Sequence, residues 1–450
     1  MVGETSTLFL GAPALIVVGL LTHLAGRLCE HGLAELCRSY APVFPLMLPR
    51  WANSLCQTIM LPAALVVEGT VPGLTGQLIG IGLVVLWVGS IQRRLANHVW
   101  LAMLALVGFA CTPSELDWVV ARDLLAGVYL SAAFFKVNKD YLTGEQSPGR
   151  VIAEHYARGL GLPVPGALLR WVPAAVVVVE LVVGVLLLVP GGGEWGLLLA
   201  LLMHWVFGLT GNFPFSIIAM TLWVTMFSAQ ADHVVLPAQT GLLWLMGALS
   251  CGFAVLFRWK SGKIRKSRFF FRDVVESALF GVLAAIVLSL SAEEPAALVA
   301  GAAPVHWAIA AVFVINALLL VAGVKLEWSF AMFTGLRPFG RSWLQRGGLR
   351  DWPRYYSLTL PARIPEPLLK MIGPEFLYRA TRADAVVHES VVRHLETAAA
   401  RWRTTFVPRA VVNNRDTGDM EPIEDRSQPR RIPLFFPAVI PKNIDKLYLG

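Results

Sequence analysis

Eleven stretches of this chain are apolar over most of the width of a lipid bilayer, and a soluble domain has no use for so many. A membrane span needs about 20 mainly apolar residues. Runs of this kind fall at 8–26, 54–71, 75–91, 96–111, 118–137, 171–190, 194–210, 213–229, 235–257, 274–292 and 304–324. Lipid offers no partner to backbone N–H and C=O groups, so a spanning segment must satisfy its own and becomes a helix. The pattern predicts an all-α, polytopic transmembrane helix bundle of about 9–11 spans over residues 1–324. The neighbouring runs 194–210 and 213–229 leave open whether they are two spans or one. Composition agrees: 56% of the 450 residues are hydrophobic and only 15% charged, where ordinary soluble domains carry about 25% charge. The first run lacks a basic n-region and a clear small-residue cleavage site, and reads as a retained span.

From about Lys325 the character changes. Arg, Pro and Trp become frequent and no long apolar run remains. Residues 325–450 are expected to be a mixed soluble or membrane-surface tail. Within it, Val386, Val391, Val392, Leu395 and Ala399 recur with helical spacing and predict a helix over 383–402. Pro-rich stretches at 361–374 and 429–441 predict extended or turn segments.

The net charge of +8 is distributed unevenly. One set of short connections holds Glu68, Glu115 with Asp117, Glu194, Asp232, and Glu293 with Glu294, without a Lys or Arg. The other holds Arg27, Arg38 and Arg50, then Arg93 and Arg94, then Lys139, Arg150, Arg158 and Arg170. It ends in the stretch from Arg258 to Arg272, which has seven cations and no acid. Basic loops stay cytoplasmic, so the second set predicts a cytoplasmic face and places the tail there. The basic stretch with Phe269, Phe270 and Phe271 reads chiefly as topogenic charge, with anionic-lipid binding as the alternative. No nucleic-acid motif accompanies it.

Charged and titratable side chains inside spans cost about 2.5–3.5 kcal/mol or more and default to functional candidates. Asn97-His98 opens the fourth run. Lys136 closes the fifth, walled by Phe134 and Phe135. Glu180 lies in the middle of a valine-rich run, and His204 in the next. Each has a plain alternative. Lys136 can snorkel to the interface, His98 can be an interfacial residue, and Glu180 and His204 can pair across the bundle and fix packing. Arg122-Asp123 reads as interfacial. The chemical reading is that a Lys in a dry site loses its proton more easily and becomes a general base, with a His nearby to hold a substrate oxygen. An apolar, lipid-borne acid such as a quinol suits that pair. Lys136 and His98 are then the catalytic candidates, and Asn97, His204, Glu180 and Phe135 the substrate-binding ones.

Three patches, in order within 92–230, carry a resemblance. Asn97-His98-Val-Trp-Leu101 resembles an N-H-x-x-L motif. Phe134-Phe135-Lys136 with Asp140-Tyr141 resembles a small-hydrophobic-Lys-Leu-x-x-Asp-Trp motif, with Ala133 at its small position. His204, followed by Phe215-Ser216-Ile217 and Met220, resembles F-H…L-F-S-I-x-M-F, with Met203 in place of the Phe. Leu326 to Phe333 weakly resembles the segment that follows. These are motifs of the vitamin K-dependent gamma-carboxylase-like, or HTTM (horizontally transferred transmembrane), family.

The resemblance implies an integral membrane protein, multi-pass in a bacterial cytoplasmic membrane. Its lipid-soluble cofactor would be reduced vitamin K or a menaquinol-like quinol, and its second substrate a peptide or protein. In the family the Lys matching Lys136 deprotonates the quinol, whose oxygenation drives carboxylation of a glutamate side chain, and the His matching His98 positions the reacting species. Two features depart from the family. The tail is short beside the carboxylase's large luminal domain, and the charge pattern puts the end of the Lys136 run on the cytoplasmic side. Other classes of reading are a non-enzymatic assembly or binding protein that retains the fold, and a transporter. No pair of Gly/Pro-broken runs in matching halves favours the transporter.

Five scattered cysteines without C-x-x-C spacing predict neither a disulfide framework nor a zinc site. H-E-x-x-H and phosphate-loop motifs are absent from the sequence, and no metal is expected.

Overall fold

The computed structural model describes residues 11–36, 50–91, 97–143, 147–228, 240–260, 269–290 and 302–321. In the tail it describes 330, 355–359, 364–366, 385–388, 392, 396, 407–413, 420–423 and 439–441. Among the described residues of the first part there are thirteen α-helices. They are α1 (Ala12–Leu36), α2 (Arg50–Thr70), α3 (Gly73–Ile91), α4 (Asn97–Cys111), α5 (Asp117–Lys136), α6 (Lys139–Leu142), α7 (Pro148–Leu160), α8 (Gly166–Leu186), α9 (Gly193–Phe207), α10 (Phe213–Phe227), α11 (Thr240–Lys260), α12 (Phe269–Leu290) and α13 (Ala303–Val321).

Apart from the short α6 and the amphipathic α7, these helices coincide with the eleven apolar runs. Five stretches are long and apolar enough to cross a membrane by length and composition: Gly73–Ser90, Ser114–Lys136, Gly166–Leu186, Arg272–Leu290 and Ala303–Val321. α4, α9 and α10, and parts of α1 and α11, are shorter apolar helices. The described residues up to 321 form an all-α, membrane-embedded helix bundle, and a C-terminal tail follows it.

The packing pairs reveal the direction of each helix. Gln57 bonds Ser90 and Glu68 lies against Gly80, so α2 and α3 are antiparallel. Lys136 meets Glu180 and Leu130 meets Gly184, so α5 and α8 are antiparallel. His204 bonds Ser216 and Gly196 faces Trp223. The runs 194–210 and 213–229 are therefore two helices folded back on each other through a π-turn at Gly208–Asn212. α13 runs parallel to α5, with His306 on Asp123, Phe313 against Gly127 and Leu320 on Phe135. Parallel packing is what the fifth and eleventh of eleven alternating spans require.

One helix end of the bundle is basic. His23 of α1, Trp87 of α3 and His98 of α4 form a ring cluster there. Gly26 of α1 lies against Arg272 and Glu276 of α12. α7 covers the same end, where Tyr156 bonds the carbonyl of Val206 and packs on Phe257. Val151, Ile152 and Ala157 of α7 are buried, while Glu154 and Arg158 face outward as an exposed pair. α7 stops where Gly161 takes a left-handed conformation (φ 69°) and its N–H returns to the carbonyl of Arg158.

α10 is the core. Every residue from Phe213 to Phe227 is buried, and α1, α5 and α12 pack around it. Apolar side chains gain little by leaving lipid for protein, so such packing relies on close approach at small residues. Gly127 and Gly184 are two such places. A Cβ on Gly127 would run into the ring of Phe313, and one on Gly184 into Leu130.

The tail carries five short strands, β1 (Tyr355–Thr359), β2 (Ala385–His388), β3 (Val407–Asn413), β4 (Met420–Ile423) and β5 (Val439–Pro441). They form one antiparallel sheet in the order β4-β3-β1-β2-β5. The helix expected over 383–402 begins instead as a strand: β2 pairs on both sides, and Val387 is buried. Beyond it, Val392 and Glu396 have helical backbone. Sheet pairing overrides helical spacing at Val386, which fits the alternation of a strand as well. Arg93 and Arg94, Lys263 to Arg268, Asp232, Glu293 and Glu294, and most of 326–333 lie outside the described residues.

Candidate functional site

Lys136 is the last residue of α5, where the partial negative charge of a helix C-terminus favours a cation. It does not snorkel. The residue is 1% exposed, and its Nζ donates to Glu180 Oε1 at 2.6 Å. Glu180 is 2% exposed and comes from the valine-rich middle of α8. The second carboxylate oxygen, Oε2, is buried and accepts nothing among the described residues. Burying such a pair is costly unless its remaining lone pairs are satisfied. Here one is not.

The chain immediately after Lys136 is clamped by Asn138. Its Nδ2 donates to the Phe135 carbonyl at 2.7 Å, and its Oδ1 accepts the N–H of Tyr141 at 2.9 Å, capping α6. One short side chain thus satisfies the end of α5 and the start of α6. The clamp brings Tyr141 beside the pair, with its ring centroid 5.9 Å from Lys136 Nζ. Burial, and then the Glu180 carboxylate, push the Tyr141 phenol well above its ordinary range, so it stays protonated. Phe135 is fully buried against Leu320 of α13, whereas Phe134 is 44% exposed. Only Phe135 of that aromatic pair is a buried neighbour.

His204 belongs to a different network. Its Nε2 lies 2.7 Å from Tyr129 Oη and its Nδ1 3.2 Å from Ser216 Oγ. Trp223 donates to Tyr129 Oη at 3.2 Å, and Ser216 donates to the His204 carbonyl at 3.0 Å. Trp can only donate, so the Tyr129 oxygen accepts there. Its own proton then goes to Nε2, and Nδ1–H goes to Ser216. That single assignment satisfies every member. His98, 5% exposed, packs edge-on against His23 with centroids 4.5 Å apart. Asn97 begins α4 with its Oδ1 buried and unbonded among the described residues.

The six candidates therefore divide. Lys136, Glu180 and Phe135 come together at the basic end of α5 and α8. His204 sits in the Tyr129 network, and Asn97 and His98 lie at the start of α4 beside α1. Tyr129, Trp223 and His23 are functional-looking residues that the sequence did not single out. Tyr129 precedes Lys136 by seven residues, two helical turns, and so shares its helix face. That spacing is the one signal that pointed to it.

A further charged cluster, Arg122 with Asp123 and His306, joins α5 to α13. Arg122 lies 3.1 Å from Asp123, and His306 is bonded to the other oxygen of Asp123. Arg122-Asp123 is thus part of a helix-helix contact. Among the described residues no group of His, Cys, Asp and Glu is placed to hold a metal. No family model, curated protein or solved structure matches this chain.

Proposed function

We propose that the chain is a membrane enzyme of the carboxylase-like type, in which Lys136 takes a proton from a quinol-like lipid substrate. The buried Lys136–Glu180 pair carries this reading. An ammonium cannot act as a base, but its proton already lies in a hydrogen bond to Glu180 Oε1, with 2.6 Å between the two heavy atoms. The transfer leaves a neutral amine and a carboxylic acid, with no net charge in an apolar site. The amine then accepts the substrate O–H proton, and the substrate becomes an anion. No electrons move in this step. Beyond the pair, His98 keeps the positioning role that the resemblance implies, and Asn97 remains a substrate-binding candidate beside it. Oxygenation by dioxygen, any carboxylation of a peptide and a bacterial cytoplasmic membrane come to this chain through that resemblance, while the placing of the basic end inside comes from the charge pattern.

The test is turnover. Purified full-length protein in lipid nanodiscs, given reduced vitamin K or menaquinol with dioxygen, should release the quinone epoxide, and Lys136→Ala should abolish it. No epoxide, or undiminished epoxide in the variant, overturns the reading.

A second reading is favoured by the same pair. Glu180 already neutralises Lys136, so the two are also competent as a packing device in a non-enzymatic membrane assembly or binding protein. Replacing both residues by apolar ones separates the two readings, because a packing device tolerates the exchange and a base does not.

A further inference from the structure

The first turn of α7 faces the same tyrosine that lies beside Lys136. Gly149 is its second helical residue, and a Cβ there would meet the Tyr141 hydroxyl and the backbone of Pro173. The missing side chain is what lets the phenol reach the helix end. The N-cap, Ser147, is fully buried, yet its Oγ makes no capping bond and no other hydrogen bond among the described residues. Pro148 at the first position has no N–H. Val151 closes the first turn on the Ser147 carbonyl at 2.9 Å, so the N–H groups of Gly149 and Arg150 are the donors that the helix itself does not use. One turn on from Ser147, the Nε of Arg150 is also buried and unpartnered among the described residues.

Every unused group here can donate, and the helix end adds partial positive charge. Across Tyr141, the unused group at Glu180 is an acceptor. The Tyr141 phenol, held protonated, is one more donor on the boundary between the two.

We infer that the N-terminus of α7, with Ser147 Oγ, Arg150 Nε and the Tyr141 hydroxyl, binds an oxyanion: the deprotonated ring oxygen of the lipid substrate. Its identity as a ring oxyanion rests on the function proposed above; its location does not. The oxygen that gives its proton to Lys136 is the one these donors then hold, with the Tyr141 hydroxyl between the two groups. Donors already in place for a charge that forms only on reaction lower the barrier without reorganising.

Equilibrium binding to the full-length protein tests this without turnover. The probe is a hydroxynaphthoquinone ionised at neutral pH, with its neutral methyl ether as control, read by quenching of tryptophan fluorescence. Ser147→Ala, Arg150→Gln and Tyr141→Phe should each weaken the anion by about ten-fold, the scale of one charge-assisted hydrogen bond, and leave the ether unchanged. Arg150→Lys, which keeps the charge, should retain most of the affinity. Unaltered anion affinity in all three variants overturns the site, as does an equal loss for anion and ether. Displacement of the probe by phosphatidylglycerol but not phosphatidylcholine would assign the turn to a lipid phosphate and overturn the ring oxyanion. Variant-sensitive binding in a protein that makes no epoxide would support the site while ending the oxygenation reading.

Discussion

Two polar networks share one face of α5, two turns apart, and they differ in how their hydrogen bonds close. Around Tyr129 every donor meets an acceptor, all groups are neutral, and α5, α9 and α10 are tied together at the centre of the bundle. Around Lys136 the groups are charged, one carboxylate oxygen is left over, and the unused donors lie on a neighbouring helix. A closed neutral network adds rigidity and specifies the fold. An open charged one is a poor way to gain stability, and it is there that the proposed proton transfer is placed.

The sharpest way to break this contrast is to remove half of the charged pair. Glu180→Leu leaves an unpaired ammonium and should cost about 3–5 kcal/mol, read by denaturant unfolding in mixed micelles. Adding Lys136→Met should recover all but about 1 kcal/mol of that loss while epoxide formation stays at zero. If the double variant regains stability and epoxide formation together, the pair is a packing device and not a base.

Next in size is Tyr129→Phe. It strands His204 Nε2 and the Trp223 indole N–H and should cost about 1–3 kcal/mol, with turnover per folded molecule unchanged. A fall in turnover without a fall in stability would move Tyr129 into the site and erase the distinction. Asp123→Asn weakens the contact of α5 with α13 and should cost about 1 kcal/mol. A disulfide between cysteines placed at 127 and 313 should then form more slowly. The smallest effect is expected at Arg158→Ala, which removes an exposed pair 3.9 Å apart and should change stability by under about 0.5 kcal/mol. The same site replaced by cysteine should react with impermeant maleimide only from the basic side.

The helices were legible because each is a local matter. A valine-rich or leucine-rich run in lipid has one outcome, and the starts of α4 at Asn97 and α5 at Asp117 fall within a residue of the apolar runs. The partners were not legible. Nothing near Glu180 announces that its cation lies 44 residues earlier, because pairing across a bundle depends on which helix faces which. Tyr129 was missed for another reason: an aromatic in an apolar run carries no charge to mark it. α7 escaped because its apolar stripe is narrow and short. In the tail, Val386 and Val387 satisfy the spacing of a helix and a strand alike, and only the neighbouring strands β1 and β5 decide between them.

The parallel contact of α5 with α13 has a consequence for how the protein is made. Asp123 and His306 are 183 residues apart, and at about 5–20 residues per second a ribosome needs about 10–40 s to cover that distance. Five helices, α8 to α12, must be threaded in the meantime. During that interval Asp123 stands near a membrane surface with Arg122 as its neighbour and its histidine still unmade. A nascent chain halted before residue 303 therefore lacks the helix that covers this side of α5, and Asp123 has only Arg122 as its charged partner.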